Sequence, residues 1–164
     1  MGRFLALALF AYCLAQSGIA GAQDAAKQLV GTWKLTAFYN KFDGGDPEEP
    51  FGPNPKGRLV VTSDGFWLVI ISGENRKPAS NNDERAALLN SLVSYTGKYT
   101  IDGDKITTNV DISWNEFYTG PNRQQVRFFR LDGDKLTIRS PVRCCSANRP
   151  GQTIEGFLTW ERER

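Results

Sequence analysis

Four aspartate-glycine turns, spaced along an otherwise strand-forming chain, constrain the fold more than any other feature. Asp43-Gly44-Gly45, Ser63-Asp64-Gly65, Asp102-Gly103-Asp104 and Asp132-Gly133-Asp134 each interrupt a run rich in Val, Ile, Thr, Phe, Tyr or Trp. Glycine accepts the positive φ of a tight turn, so Asp-Gly between two such runs signals a hairpin. Reading between the turns predicts strands at about 30–39, 57–62, 66–72, 94–101, 105–113, 123–131, 135–140 and 153–161. Short connections between neighbours imply an all-β, up-and-down antiparallel sheet. Eight such strands can close into a barrel, which removes the edges that invite aggregation. A two-sheet sandwich is the alternative.

One helix is expected between strands three and four. Asn81 or Asn82 can cap a run from Asp83 through Val93, and Asp83 and Glu84 suit its first turn. Ala86, Leu89 and Val93 recur at helical spacing, so one face should dock on the barrel, where the helix packs or forms a lid.

A short internal repeat sets relative register. Residues 98–107 align with 128–137 at a 30-residue offset, each centred on Asp-Gly-Asp. On the fourth strand, Tyr95, Tyr99 and Ile101 alternate with Thr96, Lys98 and Thr100, and the odd set is expected inside. The offset then carries Gln125, Arg127, Phe129 and Leu131 to the same face, although alternation alone equally allows Phe128 inside and Arg127 in solvent. The same alternation predicts Trp33, Leu35, Ala37 and Tyr39 inside from the first strand. It predicts Ile106, Thr108, Val110 and Ile112 from the fifth, and Leu158 and Trp160 from the last. The third strand is ambiguous, because Phe66/Leu68/Ile70 and Trp67/Val69/Ile71 are equally apolar.

The N-terminus reads as a secretory signal over residues 1–22. Arg3 is followed by an apolar run from Phe4 to Ala15 and by small residues Ala20-Gly21-Ala22 before Gln23. That run is too short to span the ~30 Å of a bilayer core. The domain then covers 23–164, in a secreted or periplasmic protein with no later membrane segment. Of the three cysteines only Cys144 and Cys145 survive such processing. They read as two loop thiols, a strained disulfide between neighbours or an intermolecular bridge. Arg139, Arg143 and Arg149 around them suggest a solvated rim loop or an anion contact.

Composition removes several kinds of chemistry. There is no histidine, which excludes Ser-His-Asp and Cys-His catalysis and His-ligated zinc. Twenty Lys+Arg against 18 Asp+Glu leaves a near-neutral chain, unlike a binder that neutralises phosphates. No metal or cofactor motif appears: Asp43, Asp46, Glu48 and Glu49 lack calcium-loop spacing, and no phosphate-cradling or dinucleotide loop is present.

Particular segments carry a resemblance. Leu29-Val30-Gly31-Thr32-Trp33-Lys34-Leu35 contains Gly-x-Trp, and Pro50 to Leu59 and Ser63-Asp64-Gly65-Phe66 follow. Tyr95 to Tyr99, Gln125 to Phe129, Leu136-Thr137-Ile138 and Leu158-Thr159-Trp160-Glu161-Arg162 complete the pattern. Together these resemble the small lipocalin-like domain family across nearly the whole mature chain. The resemblance implies a lipocalin-like barrel in which Trp33 closes the floor and an arginine from the C-terminal end, Arg162 or its rival Arg164, packs over the indole. Members often carry a histidine near position 108, where this chain has Thr108.

The expected function is to bind a small apolar or amphipathic molecule inside the barrel. Arg127, Tyr95, Tyr99, Thr108, Phe129 and Trp67 are the expected contacts. A cofactor-free isomerase or cyclase on the same barrel and a packed structural protein of the envelope are the alternatives.

Overall fold

Hairpins form where the Asp-Gly turns predict them. Asp102 pairs with Lys105 and Asp132 with Lys135, each across a two-residue loop. The computed structural model describes residues 26–120, 123–146 and 149–164, so the signal segment expected at 1–22 lies outside the described residues. A helical turn at 26–29 leads into β1 (Gly31–Phe42), β2 (Lys56–Val61) and β3 (Phe66–Ser72). Helix α1 (Asn82–Asn90), β4 (Leu92–Asp102), β5 (Lys105–Ser113) and a 3-10 turn (Glu116–Tyr118) follow. The chain continues through β6 (Gln124–Asp132), β7 (Lys135–Arg139), β8 (Arg143–Ser146) and β9 (Arg149–Arg162). The sheet order is β1 through β7, then β9 and β8, and β9 also pairs with β1. Eight antiparallel strands therefore close a barrel, and β8 lies beside the extended start of β9. This ninth strand replaces the rim loop expected at 139–149.

Two irregularities change which side chains enter the barrel. The β1–β9 register shifts between Leu35 and Ala37, with Thr36 donating its hydroxyl to the Thr159 carbonyl at 3.1 Å. A bulge inserts one residue and inverts the alternation beyond it. Trp33 and Leu35 stay inside, but Phe38 and Asn40 then face the interior instead of Ala37 and Tyr39. Tyr39 instead stacks on Phe157, its cross-strand partner, with ring centroids 4.9 Å apart. The β4–β5 register shifts likewise between Thr96 and Gly97, and this leaves Ile112 68% exposed rather than inside. Gly97 is required there, since a Cβ would sit 2.0 Å from the Asn109 carbonyl oxygen.

On β3 the ambiguity resolves to Trp67, Val69 and Ile71 inside and Leu68 and Ile70 outside. Helix α1 is capped by the Asn81 side chain, which accepts from the Glu84 amide at 2.9 Å. It ends at Asn90 because β4 begins pairing with β3 at Leu92. No residue of α1 is buried, so the expected docking face is absent; the helix is a rim element.

The closed end of the barrel is organised by Trp33 and Arg162, which face each other across β1 and β9. Trp33 is fully buried and donates its indole N–H to the Leu29 carbonyl at 3.0 Å. The Arg162 guanidinium lies 4.0 Å from the centre of that ring. It donates to the carbonyls of Val30 at 2.9 Å and Gln28 at 2.6 Å, and meets Asp134 at 3.3 Å. Gly31 makes room, because a Cβ there would lie 2.7 Å from Arg162 Nη1, and its φ of 142° favours glycine.

Replacing Arg162 removes a cation–π contact and two charge-assisted hydrogen bonds. Arg162→Ala is expected to lower stability by about 2–4 kcal/mol in urea unfolding. Exposed Arg164→Ala should stay within about 0.5 kcal/mol of the unmodified chain. Equal effects of the two would refute the assignment.

Candidate functional site

At the end opposite Trp33 the interior is not filled. A cavity of about 110 Å³ opens there, between the later residues of β1 and β3, the start of β4, and the β7–β9 region. Its apolar walls include Phe38, Val69, Ile71, Val93, Ile138, Ile154 and Leu158. Trp67, Trp160 and Tyr95, all buried, also line it. Asn40, Arg127, Ser140 and Arg143 supply the polar surface, and among the described residues no Asp or Glu lines the cavity. A wider depression of about 560 Å³ lies between α1 and residues 74–80, but it is an open surface groove of mixed charge.

Of the side chains expected to meet a ligand, the fold brings Arg127, Tyr95 and Trp67 together at this cavity. Tyr99, Thr108 and Phe129 do not line it. Tyr99 packs edge-on to Trp67, centroids 6.5 Å apart, and its hydroxyl reaches the Thr62 carbonyl at 3.5 Å in the β2–β3 turn. Burial, with Asp64 adding to it, raises the Tyr99 phenol above its usual value, so it remains a protonated donor at neutral pH. Thr108 is 1% exposed, in register with Tyr99 and Gln125. Phe129 lies at the other end beside Gln28, Gly103 and Asp104.

Arg127 enters the barrel from β6. Its guanidinium donates to the Val126 carbonyl at 2.6 Å and to the Gln125 amide oxygen at 3.0 Å. Both acceptors are neutral, and among the described residues no carboxylate pairs with it.

Sequence reasoning missed several lining residues. Phe38 escaped it because the Thr36 bulge is invisible to strict alternation. Tyr118 stands on the 3-10 turn, stacked on Tyr95 at 6.1 Å and against Trp114 at 4.7 Å. The only signal for it was the aromatic run Trp114 to Tyr118.

Ser140 is 6% exposed and accepts the Gly156 amide at 2.7 Å, which leaves its own O–H free to donate. Arg139 pairs with Glu155 at 2.6 Å and Arg149 with Glu48 at 2.5 Å, so Arg143 alone of that basic stretch lines the cavity. Cys144 is disulfide-bonded on β8, so the reading of two unbonded loop thiols does not hold.

The rim is tied together by acids. Asp43 accepts the Thr153 amide at 2.8 Å and its hydroxyl at 3.0 Å, while Arg149 lies 4.0 Å over the Phe42 ring. These hydrogen bonds hold the Asp43 carboxyl below its ordinary 3.8, and Arg149 holds Glu48 below 4.5. A depressed carboxyl stabilises the fold above its unfolded value, and that contribution is lost as pH falls through the folded one. The tether is therefore complete above about pH 5 and releases in acid. By NMR, the Thr153 amide should titrate with a midpoint below 3.8. In Asp43→Asn that transition should vanish; its persistence would place the titrating group elsewhere.

An eight-stranded barrel closed at one end by a tryptophan–arginine pair and open at the other to an apolar cavity belongs to the ligand-binding barrels in the general sense. The model of the lipocalin-like domain matches residues 30–163, and the chain belongs to that family. A search of curated proteins finds no match to it. Among the described residues, no helix is long and apolar enough to cross a membrane.

Proposed function

We propose that this chain is an exported carrier or sensor of a small amphipathic molecule. The apolar part of the ligand enters the cavity, and its polar end meets Arg127. The observation that carries this reading is the position of Arg127: a cation without a carboxylate partner among the described residues, in a cavity whose walls are otherwise mainly apolar. An inward charge is unfavourable unless something compensates it, and a ligand's polar group does so. Tyr95 and Tyr118 frame one side, and the aromatic contacts that hold them keep the pocket preformed. Export rests on the Arg3, apolar-run and Ala20-Gly21-Ala22 pattern, with Gln23 as the first mature residue.

Native mass spectrometry of the chain recovered from a secreting host tests both parts. The expected spectrum shows a mature chain beginning at Gln23 with a retained small molecule, which disappears in Arg127→Ala. A ligand retained equally by Arg127→Ala would refute the role of Arg127, and a chain that keeps residues 1–22 would refute export.

A further inference from the structure

We infer that the cavity is built for a compact monocarboxylate, one with a short branched or single-ring apolar body. This rests on the binding reading above and narrows it to a ligand class. Charge is the first reason. Among the described residues, Arg127 and Arg143 are the only ionisable lining groups other than the tyrosines, and neither has a carboxylate partner. The planar guanidinium fork matches a carboxylate, and such a pair is among the stronger hydrogen-bonded contacts available to a protein.

Unused donors are the second reason. Trp67 and Trp160 are 2% and 1% exposed and both line the cavity, yet among the described residues neither indole N–H has an acceptor. Trp33, by contrast, spends its N–H on Leu29. Buried donors are almost always bonded, so two orphan donors on side chains that line one cavity favour a ligand that carries an acceptor. An ionised carboxylate only accepts, and it offers about four lone-pair sites.

Size is the third reason. At about 110 Å³ the cavity is smaller than the ~150 Å³ that admits benzene, so the ligand's apolar body is short or enters part way from the mouth. A long acyl chain would leave most of its length outside the cavity. A phosphomonoester brings close to two charges, and the second cation available here, Arg143, is exposed at the rim.

Titration calorimetry of the mature chain with isovalerate and benzoate, against isovaleramide and benzamide, tests the inference. The acids are expected to bind at least about tenfold more tightly than their amides, and Arg127→Gln should erase that preference. The acid–amide comparison on the unaltered chain stands even if the variant misfolds. Equal binding of acids and amides would overturn the carboxylate class and leave the binding barrel intact. Tighter binding of palmitate than isovalerate would overturn the size limit, and tighter binding of phenyl phosphate than benzoate would overturn the single charge. Absence of heat with all four small probes would overturn the cavity as a binding site, and this inference with it.

Discussion

The contact between Arg162 and Trp33 is the one on which the rest of the barrel depends. It sits at the first pair of the β1–β9 ladder, which joins the first strand to the last where an open sheet would leave two unpaired edges. The same guanidinium holds the carbonyls of Gln28 and Val30, so the segment before β1 is drawn across the floor. Gly31 and Trp33 are two halves of one device, the glycine leaving space for the cation and the indole giving it a face. Once this end is sealed, the longer connections gather at the other end, and the remaining interior space has one direction in which to open.

Interior polarity follows from that asymmetry. Toward the floor the core is packed with Leu29, Trp33, Leu59, Ile106 and Leu136, all fully buried. Around the cavity it carries an inward arginine bonded only to neutral oxygens, and two buried indoles whose N–H groups have no partner among the described residues. Polar groups left unsatisfied in a low-dielectric interior lower stability, and an acceptor brought by a ligand would offset that cost. The paired acids lie outside the cavity, at the rim, where Asp43 and Glu48 tie the β8–β9 hairpin to the segment after β1.

Much of the barrel was legible because Asp-Gly turns and strand-forming runs are local signals. The 30-residue repeat also placed Arg127 and Gln125 on the side that the fold turns inward. Legibility ended where the ladder breaks. Alternation assumes one residue opposite one residue, so the bulge at Thr36 hid Phe38 and Asn40, and the shift at Gly97 put Ile112 in solvent. The helical spacing of Ala86, Leu89 and Val93 was a weaker guide than strand pairing, which claims Val93 for β4 opposite Ile71. Strand β8 was missed because the charges of Arg139 to Arg149 read as solvated loop, whereas two of those arginines are paired with Glu155 and Glu48. Which inward residues meet the cavity depends on depth along the barrel, and periodicity carries no depth. Tyr99 and Phe129 consequently pack against the core without lining the cavity.

The central claim is that an acceptor-bearing ligand completes the donors around the cavity. The indole N–H resonances report on this most directly, since the chain has four tryptophans in distinct settings. On titration with isovalerate, the Trp67 and Trp160 indole protons should move downfield together as they gain an acceptor. Trp33, already bonded to Leu29 at the floor, should not move. Unmoved Trp67 and Trp160 signals under conditions where isovalerate is bound would place the ligand elsewhere and contradict the account.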